Sequence, residues 1–314
     1  MRAFALSDGA AGNAKQASAL ANLLGLSAIS LTLQLHGVDR QLAPRFKAAS
    51  LQRTTIGEPH ALVTLAAWID RAQPDLVIGC GRAAAAALRA IKQAKASCKT
   101  IQILAPECSA RYFDWVICPQ HDRLRGPNVL TSLGAIHTIE SQLSPNCNQS
   151  DALLVLLGQA SKNAPWTTNQ LRALLADLRQ WPGQIYISTS RRSGFDIDAL
   201  IAASPLSAHA RVEIYRAGDA APNPYMRWLL SAGKIVVTPD SVNMISEAMA
   251  TRAQLLVPWQ ASAHGKIARF FQTNQARLQG FDANSFTLQQ LPPAPHADCE
   301  ALAQLLKQKL GFLG

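Results

Sequence analysis

The sequence lacks the patterns by which several classes of protein are recognised. Its six cysteines form no Cys-x-x-Cys pair and have no regular spacing, which argues against a disulfide framework or a thiolate zinc site and favours reduced thiols in the cytoplasm. No run of about 18 uninterrupted apolar residues occurs, so we expect no segment that spans a membrane. Walker and Gly-x-Gly-x-x-Gly sequences are also missing, which removes the simplest signatures of nucleotide binding.

Negative charge is scarce relative to positive charge. The formal net charge is +10, which favours anionic partners such as phosphates or an acidic membrane surface. The basic residues are spread over both halves without a dense run, and this argues against nucleic acid. Two interpretations of the charge stay open: peripheral contact with an anionic membrane at its inner, cytoplasmic face, where a lipid-linked acceptor would lie, and solubility alone.

Short apolar runs alternate with helical patterns in two successive series. A chain of 314 residues exceeds the size at which one hydrophobic core stops growing, and strands separated by helices indicate βαβ units with a parallel sheet. A polar segment, residues 141–150, separates the two series. We therefore predict an α/β protein with two Rossmann-like, doubly wound domains over residues 1–145 and 146–297. A helix over 298–314 is expected to pack back on the first domain.

Individual elements can be predicted from the same patterns. Apolar runs predict strands over residues 2–6, 75–78, 152–157 and 234–238. Helical spacing predicts, among others, a helix over residues 60–72.

Two glycine-containing loops follow predicted strands in the first domain. The first contains Asp8, Gly9, Gly12 and Asn13; its glycines would let the backbone approach a ligand, and the helix start would favour an anion. A tight turn explains the same residues equally well. The second loop begins Gly79-Cys80-Gly81, and there we favour a turn, with Cys80 as a small buried apolar residue rather than a nucleophile.

His121 and Asp122 follow a third predicted strand of the first domain. Either side chain could act as a general base. Neighbouring residues on a strand point to opposite faces, which argues against a single His–Asp dyad. A polar loop without catalytic function is the alternative.

In the second domain, hydroxyl and guanidinium groups follow the strand that ends near residue 187. Ser190, Arg191 and Arg192 lie there, and arginine can donate two parallel hydrogen bonds to phosphate oxygens. We interpret this group as a cradle for a diphosphate. Asn223-Pro224-Tyr225 precedes a helical stretch, where Asn223 and Pro224 suit the start of a helix without any ligand.

The segment after the strand over residues 234–238 has the most specific pattern. Thr238, Asp240, Ser241, Met244 and Glu247 lie at the strand end and along the helix that follows. Backbone N–H groups at such a helix start can hold a phosphate, and Glu247 could accept hydrogen bonds from ribose hydroxyls. Asp240 or Ser241 could also cap the helix, and capping is compatible with binding.

These motifs resemble the family of the plant mitochondrial-fission protein named for elongated mitochondria, whose bacterial homologues are described as glycosyltransferases or as nucleoside-diphosphate-sugar epimerases. The resemblance covers nearly the whole chain. The matching residues are Asp8-Gly9 with Gly12, Asn13 and Gln16; residues 119–122; Gly126-Pro127-Asn128-Val129; Ser190-Arg191-Arg192; Asn223-Pro224-Tyr225; and residues 238–248.

The sequence departs from the family pattern at two places. Paired glycines of the family are represented by Gly158-Gln159, and its Thr-Gly-Lys-Pro-Val stretch is represented by residues 251–255 without the glycine. Both places lie near the expected donor site.

The resemblance implies a GT-B fold, in which two Rossmann-like domains face a central cleft. It also implies a glycosyltransferase that takes a sugar from a nucleoside-diphosphate-sugar, with no other cofactor and no metal, since Arg191, Arg192 and the helix near Ser241 would offset the diphosphate charge. The donor would contact Gly9, Gly12, Asn13, Gly158, Ser190, Arg191, Arg192, Asn223, Tyr225, Thr238, Asp240, Ser241, Met244 and Glu247.

The first domain is then expected to supply the base, with Asp8 preferred over Asp122 and His121. Two alternatives stay open: an epimerase that acts on the same class of nucleotide-sugar, and a non-catalytic interaction protein, as the plant fission role implies.

Overall fold

A computed structural model describes residues 1–58, 61–143, 150–190, 195–208, 211–278 and 299–311. The chain divides into two compact units. The first unit comprises Met1–Thr138 and Asp298–Gly314, and the second comprises Ile139–Ala297. The domain limits predicted at residues 145 and 297 stay a prediction, and residues 144–149 of the expected linker lie outside the described residues. None of the helices in the described ranges has the length and apolar character needed to cross a membrane.

The strands are β1 Ala3–Ser7, β2 Ile29–Gln34, β3 Thr55–Glu58, β4 Ala61–Thr64, β5 Leu76–Cys80, β6 Lys99–Ile103, β7 Trp115–Pro119, β8 Val129–Ser132, β9 Ser150–Leu157, β10 Ile185–Thr189, β11 Val212–Tyr215, β12 Ala232–Val237 and β13 Gln254–Leu256. The helices are α1 Ala11–Leu23, α2 Asp39–Leu42, α3 Leu65–Ala72, α4 Arg82–Ala94, α5 Thr168–Leu178, α6 Phe195–Ala202, α7 Tyr225–Ser231, α8 Val242–Met249, α9 Gly265–Thr273 and α10 Cys299–Leu310.

The first unit contains an eight-stranded sheet in the order β4-β3-β2-β1-β5-β6-β7-β8. Six of its strands, from β2 to β8 in that order, pair in parallel, while β3 and β4 pair antiparallel at one edge. The helix predicted over residues 60–72 is therefore wrong in its first turn. Residues 61–64 instead pair with β3, and Thr64 then caps α3 by accepting a hydrogen bond from the Ala67 N–H at 3.2 Å.

The second unit contains five parallel strands in the order β11-β10-β9-β12-β13. This order is that of a doubly wound nucleotide-binding half. The central strand β9 is almost entirely apolar, and its residues 153–157 are buried because helices cover both faces of such a sheet. The predicted α/β class with two parallel sheets is confirmed.

Small residues bring α4 close to the sheet of the first unit. Residues 84–87 of this helix are alanines without exposed surface, and a Cβ atom added at Gly79 would lie 2.8 Å from Leu88. Helix α10 returns to the same unit, where Leu302 and Leu306 join a core cluster that includes Leu20 of α1. This unit therefore draws its core from both ends of the chain.

Candidate functional site

In each sheet, the strands that follow the first one in the chain are added on one side of it, and later strands are then added on its other side. The place where the side changes is the topological switch point. In the first unit this switch point lies between β1 and β5, and in the second it lies between β9 and β12. Loops at the carboxyl ends of two such strands diverge and leave a crevice, in which open α/β sheets bind their ligands. Most of the residues selected from the sequence follow one of these four strands.

At the switch point of the second unit, side chains from the β12 end hold the loop after β9. The Gly158 N–H donates to Thr238 Oγ1 at 2.8 Å, and the Gln159 N–H donates to Asp240 Oδ2 at 3.0 Å. A Cβ atom at position 158 would lie 2.0 Å from the same Asp240 oxygen. Glycine is therefore required here by the close approach of a carboxylate that is only 8% exposed.

Helix α8 begins directly after this contact. Ser241 is its N-cap residue, and the Ser241 hydroxyl accepts a hydrogen bond from the Met244 N–H at 3.4 Å. Of the two cap candidates, the structure thus selects Ser241, while Asp240 binds the β9 loop. The start of α8 lies at the switch point, where its dipole favours negative charge.

Glu247 lies on α8 and is 4% exposed. One of its carboxylate oxygens accepts a hydrogen bond from the Tyr225 hydroxyl. Burial, and then the nearby Glu247 charge, raise the pKa of Tyr225 well above its usual value, so the phenol stays protonated and donates. Asn223 Oδ1 in turn accepts from the Tyr225 N–H at 2.9 Å. The structure thus joins Asn223, Tyr225 and Glu247, which the sequence could list but not connect.

Ser190 follows β10, which neighbours β9. Its N–H donates to the Leu157 carbonyl at 2.9 Å, which keeps it beside the end of β9. Arg191 and Arg192, the predicted diphosphate ligands, lie outside the described residues.

An Asp-x-Asp triplet, residues 196–198, lies in α6 and bears on the expectation of a metal-free site. Asp198 of this triplet forms an ion pair with Arg216 at 3.5 Å. A positively charged neighbour disfavours a bound cation at this carboxylate.

At the switch point of the first unit, Asp8 organises an exposed loop. Its Oδ1 accepts hydrogen bonds from the Ala10 N–H and from Asn13 Nδ2, both at 3.1 Å. The first of these bonds is the local turn contact weighed above as the alternative to a catalytic role. Helix α1 then begins without a side-chain cap.

Asn13 also connects the two strands at this switch point. Its side-chain carbonyl accepts a weak hydrogen bond from the Cys80 thiol at 3.6 Å, and a Cβ atom at Gly81 would lie 2.6 Å from Asn13 Nδ2. Burial, with a smaller contribution from the Asp8 charge, raises the pKa of Cys80 strongly. The prediction that Cys80 is a buried residue is confirmed, since its side chain has no exposed surface.

The loop after β5 also belongs to the switch point of the first unit, and its Gly81 forms the turn expected from the sequence. It reads Gly79-Cys80-Gly81-Arg82-Ala83-Ala84, which has the Gly-x-Gly-x-x-Ala spacing of a phosphate-binding turn. Gly81 has φ of +88°, a conformation that favours glycine, and it caps α4.

His121 and Asp122 lie on one 3-10 turn after β7. The alternation expected for strand residues therefore does not apply to them. Strand β7 is separated from β1 by β5 and β6, which corresponds to three strand spacings, or about 14 Å. These two residues share the carboxyl edge with Asp8 but do not join its cluster. The Cys118 thiol lies 4.0 Å from Asp122 Oδ2.

Comparisons with known proteins agree with this architecture. A family described as mitochondrial fission ELM1 matches residues 11–310. The Arabidopsis thaliana mitochondrial fission protein ELM1 is 27% identical over an alignment of 234 positions, which covers 63% of this chain and 54% of the plant protein. The aligned part of the chain thus spans about half of the length of that curated relative.

Two solved structures have the same fold at low sequence identity. The UDP-GlcNAc 2-epimerase from Methanocaldococcus jannaschii has a TM-score of 0.52 and 11% identity, over 98% of this chain and 100% of that one. The glycotransferase of kitacinnamycin has a TM-score of 0.51 and 11% identity, over 98% and 94%. The fold is therefore the GT-B type shared by glycosyltransferases and such epimerases, as predicted.

Proposed function

The chain belongs to the mitochondrial fission ELM1 family, and from this premise we propose that it is a glycosyltransferase that uses a nucleoside-diphosphate-sugar. The observation that carries the proposal is the clustering of the selected residues at the two switch points. In doubly wound sheets this is where ligands bind. The fold shared with glycosyltransferases and a nucleotide-sugar epimerase supports the same ligand class.

We assign the donor diphosphate to the second unit. Its negative charge suits the start of α8 near Ser241, because unpaired N–H groups and the helix dipole favour anions there. Arg191 and Arg192 would add charge-assisted hydrogen bonds. Gly158 and Thr238 keep the loop after β9 close to this helix start. Glu247 would accept hydrogen bonds from the ribose, since it lies on α8 close to this helix start and a carboxylate is an acceptor.

The transfer step needs one base and one stabilised leaving group. We propose that Asp8 takes the proton of an acceptor hydroxyl while that oxygen bonds to the anomeric carbon of the sugar. The bond from this carbon to the diphosphate breaks, and the two arginines with the α8 dipole stabilise the charge of the leaving nucleoside diphosphate. This scheme needs no metal ion.

An epimerase is the second candidate, favoured by the likeness in fold to a UDP-GlcNAc 2-epimerase. Such an enzyme would convert the nucleotide-sugar without an acceptor. A non-catalytic interaction protein is the third candidate, as the fission role in the family name suggests.

Titration with nucleoside diphosphates and their sugars tests the proposal. We expect UDP or a related nucleotide to bind, and Arg191→Ala or Arg192→Ala to weaken binding about 10- to 100-fold, which is the usual effect of losing a charge-assisted hydrogen bond. Arg172→Ala on α5 is a matched control and should leave the affinity unchanged. Equal affinities in all three variants would exclude the cradle, and no binding of any nucleotide would favour the interaction protein.

Product analysis separates the two enzymes. A glycosyltransferase releases nucleoside diphosphate in proportion to glycosylated acceptor, whereas an epimerase returns an altered nucleotide-sugar when no acceptor is present. A C2-epimerised sugar nucleotide formed without acceptor would replace the transferase proposal by the second candidate.

We also propose that the protein works at the cytoplasmic face of an anionic membrane, which would place it near a lipid-linked acceptor. Three exposed apolar side chains, Val38, Leu42 and Phe46, lie in and beside α2, and Phe46 is 70% exposed. Arg40 and Arg45 belong to the same segment. Apolar side chains among cationic ones suit a headgroup interface that carries negative charge.

A further inference from the structure

A cavity of about 290 Å³ lies in the first unit, between the last turns of α4 and the loop before β7. Arg89 and Lys92 of α4 line it, together with Arg111, Tyr112 and Asp114 of the loop. Asp114 directly precedes β7, and the Thr100 N–H at the start of β6 donates to it at 2.9 Å. The cavity therefore lies at the amino edge of the sheet, about 17 Å, the length of a five-residue strand, from the edge that carries Asp8.

The cationic residues of this cavity outnumber the anionic ones. Asp114 is shared by two lysines, since Lys92 Nζ lies 2.8 Å and Lys99 Nζ 3.7 Å from its carboxylate oxygens. Burial raises the pKa of Asp114, but hydrogen bonds from Lys92 and Thr100 outweigh burial and hold the pKa below its usual value. The Asp114 carboxylate is thus ionised and already paired with lysines. No other carboxylate belongs to the lining residues, so neither arginine has a carboxylate partner among them.

Arg89 is buried to an unusual degree for an arginine. Its side chain is 7% exposed, one guanidinium nitrogen donates to the Pro44 carbonyl, and the group stacks on the Tyr112 ring at 4.0 Å. Its Nε–H has no hydrogen-bond partner within the described residues. Arg89 lines the cavity, and an anion bound there would offset the cost of holding its charge out of water.

Arg111 lies at the same aromatic ring. Its guanidinium carbon is 5.3 Å from the Tyr112 centroid, and it donates to the Tyr112 hydroxyl at 3.5 Å. Tyr112 therefore holds two like charges beside one cavity, and each guanidinium has a planar set of donors that matches an oxyanion. Two arginines that converge on one space are the arrangement by which proteins bind phosphate groups.

We propose that this cavity is a second anion site, which binds the phosphate group of a phosphomonoester through Arg89 and Arg111. Its volume is at the lower end of ligand cavities and suits a phosphate with a small substituent rather than a nucleoside-diphosphate-sugar. A ligand there lies across the sheet from the switch point, so it would act as an effector or an anchor rather than as a substrate. The proposal is independent of sugar transfer.

Calorimetric titration of the full chain with inorganic phosphate and with glycerol phosphate tests the site. We expect saturable binding of both, weakened about tenfold in Arg111→Gln. Arg111 is exposed, so this variant should fold. Arg125→Gln removes the same charge from an exposed position outside the cavity and should bind like wild type. Equal affinity in Arg111→Gln and Arg125→Gln, or no saturable binding to wild type, would overturn the proposal.

Vesicles distinguish the two sources of a phosphomonoester. Phosphatidic acid in neutral vesicles should recruit wild type, with competition by inorganic phosphate and loss in Arg111→Gln, if the natural ligand is a lipid headgroup. If Arg111→Gln changes phosphate binding but not vesicle binding, the ligand is a free small molecule. Both results support the anion site, and they show whether its phosphate group comes from a lipid headgroup or from a free small molecule.

Discussion

The two switch points have the same topology and different surroundings. In the second unit, Asp240 is buried against the backbone of the β9 loop, and Ser241 caps the helix that follows. In the first unit, Asp8 is exposed, and α1 begins without a side-chain cap. A packed, hydrogen-bonded crevice suits one small rigid ligand, whereas an open polar loop suits a variable or larger one.

The exposed apolar side chains show the same contrast. Within the described part of the chain, every large apolar side chain with high exposure belongs to the first unit; these are Met1, Ile29, Val38, Leu42, Phe46, Leu62 and Leu305. Exposed apolar groups that cluster mark interaction surfaces more often than isolated ones do. The comparison supports the proposal that the second unit binds the donor and the first unit binds a partner or acceptor.

The largest effect is expected at the packed crevice. Gly158→Ala would place a Cβ atom 2.0 Å from Asp240 Oδ2 and drive the carboxylate from the Gln159 N–H. We expect a loss of about 3 kcal/mol in unfolding free energy, or on the order of 10 °C in melting temperature. Calorimetry measures both.

Two controls accompany this variant. Gly57→Ala, whose Cβ would meet only ordinary contacts from 3.5 Å outward, should change stability little. The double variant Gly158→Ala/Asp240→Ala should recover part of the loss, because the clashing oxygen is gone. If the losses of unfolding free energy in the double variant were additive, a steric clash could not be their origin, and the switch point of the second unit would not be tightly packed.

A substitution in the exposed loop of the first unit that contains Asp8 should instead change the rate of turnover. Asp8→Asn keeps the side-chain carbonyl that accepts from the Ala10 N–H but removes the proposed base. We expect donor affinity and melting temperature to hold while turnover falls about 100-fold or more. Initial rates with saturating donor measure this. Turnover within a few-fold of wild type would leave Asp8 as a turn residue and direct attention to His121.

A smaller effect is expected from the buried pair in the second unit. Tyr225→Phe removes the hydroxyl that donates to Glu247, and we expect a loss of about 1.5 kcal/mol in unfolding free energy at pH 7. The pKa of Tyr225 is raised in the folded state, so its contribution is complete below about pH 10 and is lost as the pH rises further. Urea unfolding at pH 7 and above pH 10 should show that the difference in unfolding free energy between Tyr225→Phe and wild type becomes smaller at the higher pH. Tyr215→Phe is the control, and a gap that widens with pH would contradict the assigned direction.

The smallest effect concerns the apolar surface of the first unit. Phe46→Ser should lower affinity for anionic vesicles about fivefold, since burying part of one aromatic side chain contributes on the order of 1 kcal/mol. Co-sedimentation at low and high salt measures this, and binding should fade as ionic strength rises. Leu305→Ser, at an exposed position on α10, should bind like wild type. Equal binding to anionic and neutral vesicles would show that the net charge of +10 does not direct the protein to membranes and would favour solubility as its role.

Much of the fold could be predicted because its strands are short, apolar and separated by helical patterns. β9 and α4 are recognisable from composition alone. The hairpin of β3 and β4 was missed because residues 61–64 continue the helical spacing of α3. Only the backbone pairing with β3, and the cap supplied by Thr64, end the helix there. Neither contact has a periodic signal in the sequence.

The site was predictable as a set of loops and not as a set of contacts. Glycines and polar residues after buried strands indicate a carboxyl edge, and the order of strands then decides which loops meet. The bond between Tyr225 and Glu247 joins two helices, and the approach of Asp240 to Gly158 joins two strands far apart in the chain. Such distances follow from packing, which single-sequence patterns do not encode.

The return of α10 to the first unit has a consequence for synthesis on the ribosome. Leu302 and Leu306 of α10 belong to the core of the first unit, so the N-terminal strands cannot bury their full apolar surface until α10 emerges. The roughly 160 residues of the second unit take on the order of 10–30 s to translate. During that interval the second unit can fold to completion while the first waits with an open groove beside α1. A nascent chain arrested before residue 298 should therefore expose that groove to chaperones.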